Sequence, residues 1–156
     1  MNGKVWEKCI QDSCNKRMIF CKRLNDGTAN WNRGDTQVRF QKGNECDFIL
    51  FNGEKLMLIE AKVHKGKSIP LGCIRPNQIK GLTEKAMYKN VICGLLILFS
   101  DLEEAYFLSI QEYLRFVRTS ERKSIPFSYC KENGAKVSIT KKIKTYDIKI
   151  DDILLN

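Results

Sequence analysis

The sequence contains a single histidine, His64, and none of its seven cysteines forms a Cys-x-x-Cys pair. Zinc sites are built mainly from cysteine and histidine side chains at short spacing, so this pattern argues against a zinc site. The odd number of cysteines does not suit a disulfide framework either. We therefore interpret the cysteines as small buried hydrophobic residues of a protein in a reducing compartment.

Long apolar runs and linker-like stretches are also missing. The longest apolar run, Val91–Phe99, has about half the length that a membrane-spanning helix requires, and the first residues are too polar for a signal peptide. No stretch rich in proline, glycine or serine divides the 156 residues. We therefore expect a single domain over residues 1–156, located in the cytoplasm and without a membrane partner.

Positive charge is abundant and spread along the chain. The sequence has 27 lysines and arginines against 18 aspartates and glutamates, which gives a formal net charge of +9. Distributed positive charge on a globular domain is typical of proteins that bind polyanions, because each neutralised phosphate releases a condensed counterion. A basic surface without a binding role is the alternative.

The periodicity of apolar residues indicates the order of the secondary structure. We expect a helix at 3–24, a loop or projecting hairpin at 25–44, a β-hairpin at 47–62, a loop at 63–76, a helix at 77–89, a buried strand at 91–99, a strand at 105–109, a helix at 111–117, an irregular stretch at 123–133 and a pair of short edge strands at 135–150. This order predicts an α/β fold with a mixed sheet flanked by helices on both faces.

The hairpin at residues 47–62 is the most informative segment. A strong turn signal, Asn52-Gly53-Glu54-Lys55, separates two β-type runs. If these runs pair, Asp47 and Glu60 return to the same end of the sheet. Alternation along the strand places Glu60 and Lys62 on one face and Ala61 on the other.

This constellation has the chemistry for cleaving a phosphodiester. Two carboxylates, Asp47 and Glu60, with the carbonyl of Ala61 as a third ligand, suit Mg²⁺, and Mn²⁺ is a second candidate. Lys62 would orient the attacking water or stabilise the growing negative charge on the phosphate. Glu-x-Lys is nevertheless a common tripeptide, and by itself it is more often a surface ion pair.

Other candidates depend on how the helices pack. Glu7 on the first helix and Gln78 at the start of the second reach the same edge only if both helices lie against it. His64 is better interpreted as a phosphate contact or a solvated residue than as a general base. Basic residues before and after the hairpin are candidate DNA-phosphate contacts: Arg33, Arg39, Lys65, Lys67 and Arg75.

Asp47 followed by Glu60-Ala61-Lys62 is similar to the PD-(D/E)XK motif of restriction-endonuclease-like nucleases. Four further stretches resemble the RecU family of Holliday-junction resolvases, including its phage and mobile-element relatives. These stretches are 65–71, 74–82, 104–108 and 122–126. The likeness extends from about residue 45 to 133.

The resemblance implies a homodimer that binds four-way DNA junctions and makes paired, magnesium-dependent nicks. It assigns the metal to Asp47 and Glu60, makes Lys62 the catalytic lysine, and adds Gln78 and, by position, Glu7. RecU proteins project a stalk before the motif, and residues 25–44 are short for one. A nuclease of the same fold that cuts linear or flapped duplex, and a DNA-binding recombination partner that does not cut, remain alternatives.

Overall fold

The computed structural model describes residues 1–24 and 43–155. The loop or shortened stalk expected at 25–44 lies almost wholly outside the described residues, and so do Arg33 and Arg39. The described part contains four α-helices, ten strands and two short 3₁₀ helices, Leu71–Cys73 and Ile150–Leu155; the α-helices and strands are numbered in chain order. They are α1 Gly3–Lys16, β1 Phe20–Arg23, β2 Phe48–Phe51, β3 Leu56–His64, β4 Ser68–Pro70, α2 Pro76–Lys85, β5 Val91–Phe99, β6 Glu104–Ser109, α3 Ile110–Thr119, β7 Ser124–Pro126, α4 Phe127–Asn133, β8 Ala135–Val137, β9 Ile139–Lys141 and β10 Tyr146–Ile148.

A six-stranded mixed sheet forms the centre of the molecule, with the strand order β1-β2-β3-β5-β6-β8. Only β3 and β5 run parallel; the other neighbours are antiparallel. The parallel pair is possible because α2 lies in the connection between its two strands. The predicted α/β class with a mixed sheet is confirmed.

Each face of the sheet carries its own core. On one face, α1 and the small β9–β10 sheet cover side chains such as Met57 and Ile59. On the other face, α2 and α3 cover Leu58, Leu95 and Ile97. Successive β3 residues therefore alternate between two buried layers, which explains why β3 and β5 are apolar throughout much of their length.

The hairpin of β2 and β3 forms in the predicted register. Phe48 pairs with Ile59 and Phe51 with Leu56. In the turn, the side chain of Asn52 accepts hydrogen bonds from two following backbone N–H groups, and Gly53 adopts a φ of +102° that favours glycine.

Two ends of the sheet can be distinguished. At the site end, β2 begins and β3 and β5 finish. At the turn end lies the 52–55 turn, close to the start of β5, where Leu56 N donates to Asn90 O over 2.9 Å.

The first helix is shorter than predicted. It ends at Lys16, and residues 20–23 form the edge strand β1 instead of two more helical turns. The apolar spacing continues past Lys16, but Met18 adopts a φ of 56°, which no α-helix accommodates. The helix expected at 77–89 also ends early, at Lys85.

Three further expectations, for segments after the hairpin, were wrong in part. The expected loop at 63–76 contains the end of β3 and the strand β4, which pairs with β7 although each strand ends in a proline. The stretch 123–133 is not irregular, since it forms β7 and α4. The segment 135–150 contains three strands: β8 extends the main sheet, and β9 pairs with β10 separately. In each case pairing with a distant segment overrides the local signal.

The cysteines mostly fulfil their predicted role. All seven are free, and Cys9, Cys14, Cys46, Cys93 and Cys130 are buried. Cys73 is the exception because its side chain is exposed. Within residues 1–24 and 43–155, none of the helices combines the length and the apolar character that crossing a membrane would demand.

Candidate active site

Asp47 and Glu60 lie side by side at the site end of the sheet. The backbone N–H of Asp47 donates to Ile59 O over 3.1 Å, which extends the β2–β3 ladder by one residue. The carboxylate of Asp47 turns toward β3, where its Oδ2 accepts a hydrogen bond from Ala61 N over 2.9 Å. The predicted convergence of the two acids is therefore present in the structure.

Glu60 is a buried carboxylate with one oxygen satisfied. Its Oε1 forms an ion pair with Lys62 Nζ at 2.6 Å, and only 1% of its side chain is exposed. Its Oε2 is buried and has no hydrogen-bond partner among the described residues. Burial and the negative charge of Asp47 raise the pKa of Glu60 to about 7, against the opposing effect of Lys62.

Gln78 approaches Glu60 from α2. It is fully buried in the first turn of this helix, and its Oε1 accepts a hydrogen bond from Arg75 N over 2.9 Å. The side-chain amide of Gln78 is close enough to lower the pKa of Glu60. The Nε2 atom of Gln78 is nevertheless buried without a hydrogen-bond partner in the described part of the chain. Two neighbouring side chains thus each present an unsatisfied polar atom, which is unfavourable unless a ligand or water joins them.

The segment that leads into Asp47 is held against α2. Asn77 Nδ2 donates to the carbonyl oxygens of Gly43 and Asn44 over 3.2 and 3.1 Å, and Lys85 forms an ion pair with Glu45. These contacts fix the position of Asp47 relative to Gln78. They were missed in the sequence, where each of these polar residues looks like an ordinary surface residue.

Glu7 is held at the same end by an arginine. Its Oε2 accepts from Arg23 Nε over 2.6 Å, and Arg23 pairs in register with Phe48, the residue after Asp47. However, α1 covers the face of the sheet opposite to α2, the helix that approaches Glu60. The structure therefore brings Asp47, Glu60, Lys62 and Gln78 together and places Glu7 on α1, which covers the opposite face of the sheet.

The candidate DNA contacts within the described residues surround this site. Lys65 and Lys67 are exposed in the turn after β3, where Gly66 N donates to Asp101 Oδ2 over 3.0 Å. Arg75 is exposed at the start of α2. Cys73, which the sequence did not single out, also lies near the site: partial shielding of its thiol from water raises its pKa, and the charges of Lys62 and Glu60 affect it as well.

The donor set fits a hard divalent cation. The described residues contain no group of three or more histidine, cysteine, aspartate or glutamate side chains placed to hold a metal. Two carboxylates with a backbone carbonyl are nevertheless the type of set that holds Mg²⁺, because this ion keeps several of its waters. The unsatisfied Oε2 of Glu60 is the observation that favours a cation here.

A mixed sheet with an acid pair at one end is the arrangement that the resemblance to restriction-endonuclease-like nucleases implies. Comparison with a solved structure supports the fold: the Holliday junction resolvase Hjc of Archaeoglobus fulgidus matches with a TM-score of 0.58 at 15% identity, over 86% of this chain and 95% of that chain. The family model for Recombination protein U, RecU, matches residues 14–150. The chain belongs to the RecU family.

Two curated relatives illustrate the range of the family. An SPbeta prophage-derived uncharacterized protein, YotM, of Bacillus subtilis is 31% identical over 92% of this chain and 80% of the relative. The Holliday junction resolvase RecU of Streptococcus pneumoniae is 27% identical over 65% of this chain and 52% of the relative. The match to that resolvase therefore spans about half of its length, whereas the match to the prophage protein is more complete.

Proposed function

We propose that this protein is a metal-dependent DNA endonuclease that resolves four-way (Holliday) junctions by paired symmetric nicks. Membership of the RecU family and the likeness to the fold of Hjc support a resolvase. The observation that carries the proposal is the convergence of Asp47, Glu60 and Lys62 at one end of the sheet, with a buried carboxylate oxygen left without a partner.

Asp47, Glu60 and the carbonyl of Ala61 would hold Mg²⁺, with Mn²⁺ as a substitute. The cation, when bound, supplies Lewis acidity toward a phosphate oxygen and lowers the pKa of its bound water. The ion pair with Lys62 lowers the pKa of Glu60 against the effect of burial and so favours its charged form, which is the form that binds a cation.

Lys62 has a second role in this proposal. Its side chain is 21% exposed, so the ammonium can reach solvent while it remains bonded to Glu60. From there it would orient a water molecule or stabilise the negative charge that grows on the phosphate oxygens. Gln78 would fix the position of Glu60, and Glu7, through Arg23, would support the start of β2.

The DNA is bound through its phosphates in this proposal. Lys65, Lys67 and Arg75 are exposed around the acid pair, and Arg33 and Arg39 are assigned the same role from the sequence alone. Phosphate contacts fix position and affinity without selecting a sequence. Branched DNA would therefore be recognised by its shape.

A homodimer would match the two-fold symmetry of a four-way junction, because two equivalent cuts need two equivalent sites. We expect the purified protein to have twice the mass of one chain by light scattering or analytical ultracentrifugation, with or without a junction. A monomer in both conditions would contradict this part of the proposal.

The decisive experiment compares cleavage of a mobile four-way junction with that of linear and flapped duplexes of the same sequence, with and without Mg²⁺. We expect symmetric nicks in the junction that require Mg²⁺. Preferential cutting of linear or flapped DNA would instead indicate a repair or restriction nuclease. Junction binding without any cleavage would indicate a recombination partner that does not cut.

Asp47→Asn tests the site directly. This variant should keep junction binding and lose Mg²⁺-dependent nicking, since an amide is a poor ligand for Mg²⁺. Glu54→Gln, an exposed acid at the turn end, is the matched control and should cut like the unmodified protein. Cleavage that survives Asp47→Asn would show that the metal is bound elsewhere.

A further inference from the structure

The turn that joins β9 and β10 exposes an isoleucine between lysines. Lys142 N donates to Thr145 O over 2.8 Å and closes the turn, and Lys142, Ile143 and Lys144 are all exposed. Ile143 is 97% exposed, the largest value among the large hydrophobic side chains described. Lys142 and Lys144 form no ion pair with any described residue.

This turn, which we call the KIK turn (residues 142–144), belongs to the site end of the molecule. Lys141, directly before it, forms an ion pair with Glu103 in the connection between β5 and β6. The same connection contacts the end of β3, where Ser100 N donates to His64 O over 2.9 Å. It also holds the loop of Lys65 and Lys67 through Asp101. The KIK turn therefore lies at the same end of the sheet as the acid pair.

The stem beneath the KIK turn is fixed to the core. The ring of Tyr146 packs edge-on against Trp6 with centroids 6.4 Å apart, and Tyr146 N donates to Cys9 Sγ over 3.3 Å. Asp147 forms ion pairs with Lys16 and Arg17 at the end of α1. Because the stem is anchored in this way, the turn is presented in a defined position and not as a loose tail.

The chemistry of the KIK turn fits a nucleic acid. Ammonium groups bind phosphates, and an apolar side chain between them can pack against base faces where stacking is interrupted. Charge that protects an edge strand from aggregation is a simpler explanation for the lysines. It does not account for Ile143, because an exposed isoleucine next to an edge promotes association.

We propose that the KIK turn is a second DNA-binding element, with Lys142 and Lys144 on the phosphates and Ile143 against the unstacked bases of a branch point. The inference rests on the proposed function, since it requires that the protein bind branched DNA. It adds a contact that lies on the α1 side of the sheet, whereas Glu60 and Lys62 face α2.

Two variants of the full chain, each with a matched control, test the inference. For each protein, the affinity for a four-way junction and for linear duplex is measured across a range of salt concentrations. Lys142→Gln with Lys144→Gln should weaken binding to both DNAs and reduce the slope of log affinity against log salt by about 2. The control is Lys55→Gln with Lys89→Gln, which removes two lysines at the turn end. This control should leave the slope unchanged.

Ile143→Ser should weaken junction binding roughly fivefold and leave duplex binding unchanged, because only the branch offers unstacked bases. Its control is Met87→Ser, since Met87 is 85% exposed near the turn end. Each variant should unfold at the temperature of the unmodified protein.

The outcomes separate the two proposals. If the unmodified protein binds the junction and the KIK variants bind it with the same affinity and salt slope, the inference is wrong and the proposed function stands. If the unmodified protein binds neither DNA, the proposed function fails and the inference fails with it. An equal loss of junction and duplex binding in Ile143→Ser would contradict the assignment of Ile143 to a branch point.

Discussion

Glu60 is a buried carboxylate whose surroundings, within the described part of the chain, satisfy only one of its two oxygens. A buried carboxylate is unfavourable unless its oxygens are paired, and here Lys62 satisfies only Oε1. Burial and the charge of Asp47 both raise its pKa. A cation bound between the two acids would remove both penalties at once, so the folded protein should be more stable with the metal than without it.

We therefore expect Mg²⁺ to raise the melting temperature of protein that has been treated with a chelator. At about one hundred times Kd, a ligand that binds only the folded state stabilises it by about 2.7 kcal/mol. For a chain of this size this corresponds to roughly 5–10 °C in Tm. Thermal unfolding monitored by circular dichroism in a Mg²⁺ titration measures the shift.

Asp47→Asn should lose most of this shift, and Glu54→Gln at the turn end should retain it. An equal shift in all three proteins would mean that Mg²⁺ stabilises the fold without binding between Asp47 and Glu60. This readout does not depend on DNA or on activity, so it tests the metal site separately from the proposed reaction.

The main residues of the candidate site could be predicted from the sequence because β-structure has a simple period. The turn signal and the alternation along β3 were enough to predict that Asp47 lies near the end of β3 and that Lys62 lies on the same face as Glu60. The structure shows Asp47 bonded to Ala61 and Lys62 bonded to Glu60. The supporting residues could not be predicted in this way. The contact of Asn77 with the 43–44 segment and the exposure of Cys73 depend on how α2 packs, which no local pattern encodes.

At the scale of elements, the end of α1 shows why the helix was predicted too long. Met18 N donates to Asn15 O and Ile19 N to Cys14 O, which is the hydrogen-bond pattern of a Schellman motif. The residue in the left-handed conformation is usually glycine, but here it is Met18, with a φ of 56°. Because no glycine marks the end of the helix, the apolar spacing alone predicted a helix that continues to residue 24.

Met18→Gly should stabilise the protein by about 0.5–1 kcal/mol. Glycine removes the strain of the left-handed conformation, and this gain exceeds the extra chain entropy of the unfolded state. The Met18 side chain is 92% exposed, so no packing is lost. Met18→Ala keeps the Cβ and should change the stability by less than about 0.5 kcal/mol. Urea unfolding of both variants measures the difference, and an equal gain for alanine would argue against backbone strain.

Asp147 joins α1 to the β9–β10 sheet and gives this contact a pH dependence. Hydrogen bonds from Lys16 and Arg17 lower its pKa from 3.8 to about 2. Since the folded pKa lies below the unfolded value, the stabilisation is present in full above about pH 4 and disappears as the pH falls toward 2. The contribution is about 1 kcal/mol, less than the shift alone implies, because Lys16 is 61% exposed and solvent screens the pair.

Asp147→Asn should therefore lower the free energy of unfolding by about 1 kcal/mol at pH 7, with the difference from the unmodified protein shrinking below about pH 4 and vanishing only below about pH 2. Asp12→Asn, which changes an exposed acid on α1, is the control and should show no such dependence. Urea unfolding at a series of pH values gives the measurement. A constant difference between Asp147→Asn and the unmodified protein at all pH values would show that packing, and not charge, explains the loss.

Over the whole molecule, the sheet brings distant basic segments to one end. The loop of Lys65 and Lys67 and the KIK turn come from separate parts of the chain, yet both adjoin the β5–β6 connection at the site end, through Asp101 and through the contact of Lys141 with Glu103. The fold class was predictable because the order of long apolar segments determines the central strands. The β8–β10 region was not, since strands of three residues carry little pattern and their pairing is decided by α1 and β6.

Net charge alone and the placement of charge make different predictions for DNA binding. Lys65→Glu with Lys67→Glu lowers the formal net charge from +9 to +5, two units for each substitution, and Lys55→Glu with Lys89→Glu lowers it equally. If the site end binds the phosphates, the first pair should weaken junction affinity at least tenfold at about 0.15 M salt and flatten its salt dependence. The second pair changes lysines at the turn end, which would lie more than a Debye length, about 8 Å, from the bound DNA. It should therefore have little effect on junction affinity.

Fluorescence anisotropy with labelled junctions of two unrelated sequences measures these affinities. Contacts to phosphates should make the two junctions bind equally well to each protein. Equal weakening by the two pairs of substitutions would mean that overall charge governs binding and that the site end has no special role. A strong preference for one junction sequence would instead require contacts to base edges, which the exposed lysines around Asp47 and Glu60 do not by themselves provide.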